Sequence, residues 1–170
     1  MINLRRILVP TDFSETSAAA LRYACALARR FAARVYLLNV ADYPGIGAEG
    51  DYPIGIVETM QNAAHDRLRR LLTEQDVKDL QPDCATRIGL PAEEIVQYAH
   101  EHAIDLIVMG THGREGVMRA VLGSVAETVV RRAPCPVLTV HRPESEFVMA
   151  EEFVQVRRVA TAELAIDSRS

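Results

Sequence analysis

The sequence predicts an α/β fold: a three-layer, open, parallel five-stranded sheet with helices on both faces. Three observations carry this. Strand-like and helix-like segments alternate along the chain, as a parallel sheet with crossover helices requires. The strand segments are almost continuously apolar, as expected of strands covered on both faces. The helical segments instead carry one apolar stripe each, at three- and four-residue spacing.

In order, Arg6-Ile-Leu-Val-Pro10 reads as the first strand. A helix is expected from about Ser14 to Phe31, with Leu21, Ala24, Cys25, Ala28 and Phe31 on its buried stripe and Ser14 or Asp12 as its cap. Arg34 to Val40 is the second strand. Residues 42–55, with Gly45, Gly47, Gly50, Pro44 and Pro53, read as a long loop, and loops of this length in compact domains are often functional lids. Val57, Met60, Ala64, Leu68, Leu71 and Leu72 form the stripe of a second helix. A short strand near Cys84–Ile88 and a turn at Gly89-Leu-Pro91 follow. The third helix passes through Ile95, Val96 and Ala99, with Pro91 in its first turn, where a missing N–H is harmless. Leu106–Met109 is the fourth strand, Val125, Ala126, Val129, Val130 and Ala133 mark a fourth helix, and Pro136–Val140 is the fifth strand.

A chain of 170 residues, 49% hydrophobic and 25% charged, suits one well-cored globular domain. We place that domain at residues 1–143 and treat 144–170 as an extension. The extension carries six acids and three bases, a charge of −3 out of the chain's −4. Its Phe147, Val148, Phe153, Val154 and Val156 need cover, on its own domain or a partner subunit. The acidic balance and a pI near 5.7 argue against nucleic-acid partners. No apolar run approaches membrane-spanning length and no signal peptide is evident, so a cytoplasmic protein without a membrane partner is expected. Three separated cysteines, Cys25, Cys84 and Cys135, fit neither a disulfide framework nor a metal site, and the histidines show no ligand spacing.

The segment with the most chemical content is Gly110-Thr-His-Gly113, followed after nine residues by Gly123-Ser124, between the fourth strand and the fourth helix. Glycine there permits positive φ and close approach of backbone to a ligand. A loop that feeds a helix N-terminus offers unpaired N–H groups suited to phosphate. In an open parallel sheet the ligand binds beyond the carboxyl ends of the strands, where strand order reverses, and this loop lies on that edge. Ser124-Val-Ala-Glu127 also reads as a capping box, which would engage the Ser124 hydroxyl with the helix backbone. The chain has no G-x-x-x-x-G-K-[ST] phosphate loop and no G-x-G-x-x-G after the first strand. The acids near the motif, Asp12, Asp42 and Glu127, show no geometry for a base, which argues against rapid turnover and leaves slow ATP hydrolysis or adenylyl chemistry as the alternative.

Val9-Pro-Thr-Asp-Phe-Ser14, Leu38-Asn-Val40, Gly89-Leu-Pro-Ala-Glu-Glu-Ile95, Ile107-Val-Met-Gly-Thr-His-Gly113, Leu122-Gly-Ser124 and Pro134-Cys-Pro-Val-Leu-Thr-Val140, in that order, resemble the universal stress protein family over roughly residues 3–141. Gly110, Gly113, Gly123 and Ser124 match the G-x2-G-x9-G-[ST] form of its ATP-binding branch. The resemblance implies a Rossmann-like, adenine nucleotide alpha hydrolase-like domain that binds ATP, with Mg2+, AMP or ADP as alternatives or companions. It implies that Pro10, Thr11 and Asp12 meet adenine and ribose, that Val40 and Met109 flank the base, and that Gly110, Gly113, Gly123, Ser124 and the N–H of Val125 hold phosphate. For Asp12 the other reading is a helix cap, and for Met109 it is core. His112 and Arg114 lie within the loop as further phosphate contacts or as solvated side chains. A homodimer through the fifth strand, Val137–Val140, and a regulatory role toward an unknown protein partner complete what the resemblance implies.

Overall fold

The computed structural model describes residues 3–41, 54–111 and 122–141. Strand β1 (Arg6–Pro10) leads into helix α1 (Glu15–Phe31) and strand β2 (Arg34–Ala41). Helices α2 (Ile54–Arg70) and α3 (Glu74–Leu80) precede β3 (Asp83–Ile88), α4 (Pro91–Glu101) and β4 (Leu106–Gly110). Helix α5 (Ser124–Arg132) and β5 (Val137–Val140) complete the described elements. The sheet is parallel throughout, in the order β3-β2-β1-β4-β5. Strand order therefore reverses between β1 and β4, which places the switch point at the carboxyl ends of those two strands.

The pleat divides the core in two. Ile7, Val9, Val35, Leu37, Val108 and Val140 point to one face and pack with Leu21, Ala24 and Ala28 of α1, Leu68 of α2 and Leu80 of α3. Leu8, Tyr36, Leu38, Ile107 and Met109 point to the other and pack with Ile95, Tyr98 and Ala99 of α4 and Ala126 and Val129 of α5. Covering both faces is what makes each strand read as a continuous apolar run. Ile7, Leu8 and Val9 of the central strand are fully buried, each stabilising the fold by roughly 1.5–3 kcal/mol through apolar burial.

Two features differ from the sequence-based expectation. There are five described helices rather than four. The continuous stripe expected through Leu72 stops at Arg70, and Thr73 starts a separate seven-residue helix. Thr73 Oγ1 accepts from the Asp76 N–H and Asp76 accepts from the Thr73 N–H, a complete capping box. Asp76 also binds Arg29 of α1 at 2.5 Å, so the short helix is fastened to its neighbour as well as capped. The second difference lies within α2: Leu68 is fully buried, whereas Met60, on the same predicted stripe, is 43% exposed. Among the side chains of α2 that the structure describes, the fully buried one, Leu68, lies in its carboxyl half. Residues 54 and 55, placed in the loop by the sequence reading, belong to its first turn; the remainder of that loop, 42–53, and the extension, 144–170, lie outside the described residues.

This asymmetry has a measurable consequence. Leu68→Ala is expected to destabilise the fold by about 2–5 kcal/mol, whereas Met60→Ala changes it by less than about 1 kcal/mol. Paired denaturant titrations check this; equal losses at the two positions would contradict the difference in burial.

Candidate functional site

At the carboxyl end of β1 the chain turns sharply into α1, and side-chain hydrogen bonds hold the turn. Pro10 ends the strand, buried and paired with Leu38. The Thr11 N–H donates to the Leu38 carbonyl at 2.8 Å, and Asn39 Nδ2 donates to the Thr11 carbonyl at 2.8 Å, so β2 grips Thr11 from both sides of its peptide. Thr11 Oγ1 accepts from the Phe13 N–H at 3.0 Å and lies 2.9 Å from Ser17 Oγ. Phe13 adopts φ +65°, a left-handed conformation that an aromatic residue occupies only when its surroundings enforce it.

Ser14, not Asp12, caps α1: its hydroxyl accepts from the Ser17 N–H at 3.2 Å. Asp12 Oδ1 instead accepts from the Ser14 N–H at 3.0 Å, two residues before the cap. Burial alone would push its carboxyl pKa up. Hydrogen bonding from the Ser14 side chain and backbone and from the Ser17 side chain outweighs this and holds it below the ordinary carboxylate value. Asp12 is thus an anchored, half-buried anion at the switch point.

The end of β4 lies beside this turn. Met109 is 5% exposed and belongs to the core on the α4–α5 face, so core packing accounts for its side chain. Gly110 has a packing reason too. A Cβ built there would lie 3.0 Å from Thr16 Cγ2, 3.1 Å from the Thr16 carbonyl carbon and 3.2 Å from the Ser17 nitrogen. The close approach that requires glycine is to the first turn of α1. Positive φ is not the reason: among the described glycines Gly89 has it, at +152°, and Gly123 has φ −71°.

Beyond Gly110, the Thr111 N–H donates to the Val140 carbonyl at 2.8 Å, and the Thr111 carbonyl accepts from the Gly123 N–H at 2.6 Å. This last bond brings the two ends of the intervening segment together. It also occupies the Gly123 N–H, which is therefore not a ligand donor. Helix α5 begins with Gly123 as its N-cap and Ser124 at its first helical position. The capping box expected from Ser124 to Glu127 is not formed, because Ser124 is one residue inside the helix and no side chain caps that end. The Glu127 N–H is bonded to the Gly123 carbonyl at 2.9 Å, so among the described residues the first-turn donors without a protein partner are the N–H groups of Ser124, Val125 and Ala126. Ser124 is exposed and Val125 half-buried. Together with the helix dipole these groups have the chemistry that suits an anion.

Val40 is half-buried at the end of β2, paired with Arg87 of β3, on the same edge. Of the predicted site residues, then, Pro10, Thr11, Asp12, Val40, Met109, Gly110, Gly123, Ser124 and Val125 lie along the carboxyl edge, the Met109 side chain excepted as core. His112, Gly113 and Arg114 lie outside the described residues. Sequence reasoning missed Ser17 and Asn39, both buried and both bonded to Thr11. The available signal was a hydroxyl four residues before Leu21 on the apolar stripe of α1, and an amide inside an otherwise apolar strand. A surface groove of about 630 Å3, lined by Ala28, Arg29, Arg34, Asp79 and Gln81 among others, opens at the opposite edge and contains none of the site residues. Among the described residues no helix is long and apolar enough to cross a membrane.

An open parallel sheet whose strand order reverses between β1 and β4, with helices on both faces, defines a doubly wound α/β domain. The family model for the universal stress protein family matches residues 3–141, and the chain belongs to that family. It is 37% identical over 145 residues to the universal stress protein MJ0531 of Methanocaldococcus jannaschii, covering 84% of this chain and 85% of that protein. A solved structure of the M. jannaschii protein MJ0577 is 32% identical with a TM-score of 0.72, covering 85% of this chain and all of that one. The UspA structure from Lactobacillus plantarum is 30% identical with a TM-score of 0.66, covering 82% and 99% of the two chains. A universal stress protein from Archaeoglobus fulgidus, solved in complex with dAMP, is 25% identical with a TM-score of 0.51, at 82% and 99% coverage.

The lowered Asp12 pKa sets a pH dependence. Ionised Asp12 contributes stability that is fully present above its unfolded value of about 3.9 and is lost as pH falls through the lower folded value. The stability gap between the wild type and Asp12→Asn is therefore expected to stay constant from about pH 8 to pH 5 and to shrink below about pH 4. Denaturant midpoints across that range test it; a gap that persists unchanged to pH 3 would contradict the anchoring.

Proposed function

We propose that this protein is an ATP-binding universal stress protein, a nucleotide-dependent binding module in the cytoplasm whose partner is another protein. The single observation that carries the reading is the first turn of α5, whose three N–H groups have no partner among the described residues and lie beside the Thr111–Gly123 closure, on the same sheet edge as Asp12. The helix end suits a phosphate. The Asp12 carboxylate suits the hydroxyls of a ribose, as an acceptor held ionised at neutral pH. ATP, ADP and AMP share both features, and Mg2+ would accompany the longer phosphate chains. The dAMP complex of the Archaeoglobus fulgidus relative supports a nucleotide on this fold. Bound nucleotide would act as a switch to the extent that it prefers one shape of the protein over another.

A homodimer through β5 is part of this reading. This strand is at the edge of the sheet, Leu138 on it is 38% exposed and Val130 on the adjoining helix is 46% exposed. Pairing with a second copy would satisfy the edge and cover these side chains.

Ser124→Pro tests the phosphate site with little disturbance of the fold. Proline is favoured at the first helical position, and Gly123 before it already has the extended conformation that a residue preceding proline requires, φ −71° and ψ 158°. The substitution removes one N–H and the hydroxyl together. Calorimetric titration with Mg-ATP is expected to show affinity reduced by roughly 10- to 100-fold with the melting temperature of nucleotide-free protein nearly unchanged. Undiminished affinity would remove the α5 end from the site. For the dimer, Leu138→Arg is expected to shift sedimentation from dimer to monomer; a wild-type monomer, or a variant that remains dimeric, would contradict assembly through β5.

A further inference from the structure

The turn between β1 and α1 contains a hydrogen-bond network centred on the Ser17 hydroxyl, which also helps to hold the Asp12 carboxylate ionised. Thr11 Oγ1 accepts from the Phe13 N–H at 3.0 Å. It also shares a hydrogen bond with Ser17 Oγ, 2.9 Å away, in which either hydroxyl can donate. Ser17 in turn donates to the Ser14 carbonyl at 2.9 Å. The network thus runs from the backbone at Phe13 to the backbone at Ser14 and encloses Asp12. Both hydroxyl-bearing residues are buried, Thr11 at 6% and Ser17 at 5% exposure, so neither has ready access to water as a substitute partner.

Ser17 also sits where three elements meet. It belongs to the first turn of α1, it bonds Thr11 at the end of β1, and its nitrogen lies 3.2 Å from where a Cβ on Gly110 of β4 would be. We propose that Ser17 is a positioning residue for nucleotide binding, whose hydroxyl fixes the Thr11–Ser14 turn so that the Asp12 carboxylate is presented to the ribose. This rests on the nucleotide reading above and extends it to a residue that does not touch the ligand.

The physical argument turns on Phe13. Its left-handed backbone, φ +65°, is disfavoured for an aromatic side chain and is held by the bond from its N–H to Thr11 Oγ1. Without the Ser17 oxygen, the Thr11 hydroxyl loses its buried partner. The Thr11 side chain then rotates toward another partner and releases Phe13, and Asp12, immediately before Phe13, loses its orientation. The helix itself is spared: its cap runs from the backbone N–H of residue 17 to Ser14 Oγ at 3.2 Å, a bond that alanine at position 17 retains.

The test uses the full chain and calorimetric titration with Mg-ATP, on the wild type, Ser17→Ala, Asp12→Asn and the double variant. Thr11→Val, close in volume, breaks the same link from the other side and guards against a folding artefact at one position. Ser17→Ala and Thr11→Val are each expected to weaken ATP by about tenfold. If Ser17 acts through Asp12, adding Ser17→Ala to Asp12→Asn weakens binding by no more than about twofold further, the non-additivity of residues that work as a unit. Wild-type affinity in Ser17→Ala and Thr11→Val overturns the inference, and so does a full tenfold loss repeated on the Asp12→Asn background, which marks a merely structural role. A wild-type chain that binds no ATP overturns the nucleotide reading and this inference with it. Binding that Ser124→Pro weakens but Ser17→Ala does not overturns this inference alone.

Discussion

The carboxyl edge depends on how closely the first turn of α1 approaches the ends of β1 and β4. At Gly110 the gap is too small for even a methyl group without displacement, since a Cβ would lie 3.0 Å from Thr16 Cγ2 and 3.1 Å from backbone. At Thr11 the same turn of helix supplies the Ser17 hydroxyl. Two adjacent parallel strands are therefore referenced to one helical turn, and the switch point between them inherits that rigidity. A site built there rests on regular elements rather than on free loops, the arrangement that holds binding groups most accurately.

The electrostatics of the edge follow from its two helix starts. At α1 the Ser17 N–H is taken by Ser14 Oγ and the Ser14 N–H by Asp12, two residues earlier. At α5 no such bond forms, because the N-cap is a glycine with no side chain to offer. Of these two helix ends, among the described residues, the one at α5 has no side-chain cap and suits an external anion better. The Asp12 carboxylate, held in its ionised form, repels phosphate and attracts hydroxyl donors. A ligand with an anionic end and a hydroxyl-bearing middle satisfies both, which is the chemical outline of a nucleotide.

Most of the fold was legible in the sequence because both faces of the sheet are covered. Continuous apolar runs such as Ile7–Val9 have few competing interpretations when flanked by striped helices. The errors came where local chemistry was weighed against periodicity. Leu71 and Leu72 extended the stripe of α2 past its true end, and the Thr73–Asp76 capping box that starts α3 went unread. Met60 fell on the stripe but is exposed. At the candidate site, the placement of Pro10, Thr11, Asp12, Val40, Gly110, Gly123, Ser124 and Val125 on the carboxyl edge was legible from the order of elements, and several of the reasons for those residues were not. Gly110 is glycine because α1 crowds it, and Ser124 is inside the helix rather than capping it; both depend on contacts between segments distant in sequence. Ser17 and Asn39 escaped notice for the same reason, since their partner at Thr11 is set by topology.

The most direct test of the central claim, that one carboxyl edge holds the nucleotide by both ends, is an amide chemical-shift map on addition of Mg-ATP. The account predicts that the largest shifts fall on Ser124, Val125 and Ala126 together with Asp12, Phe13 and Val40, at one saturating midpoint. Shifts concentrated elsewhere, for instance around the Arg29–Asp79 groove at the opposite edge, or confined to the α5 end while the β1–α1 turn stays silent, would contradict it.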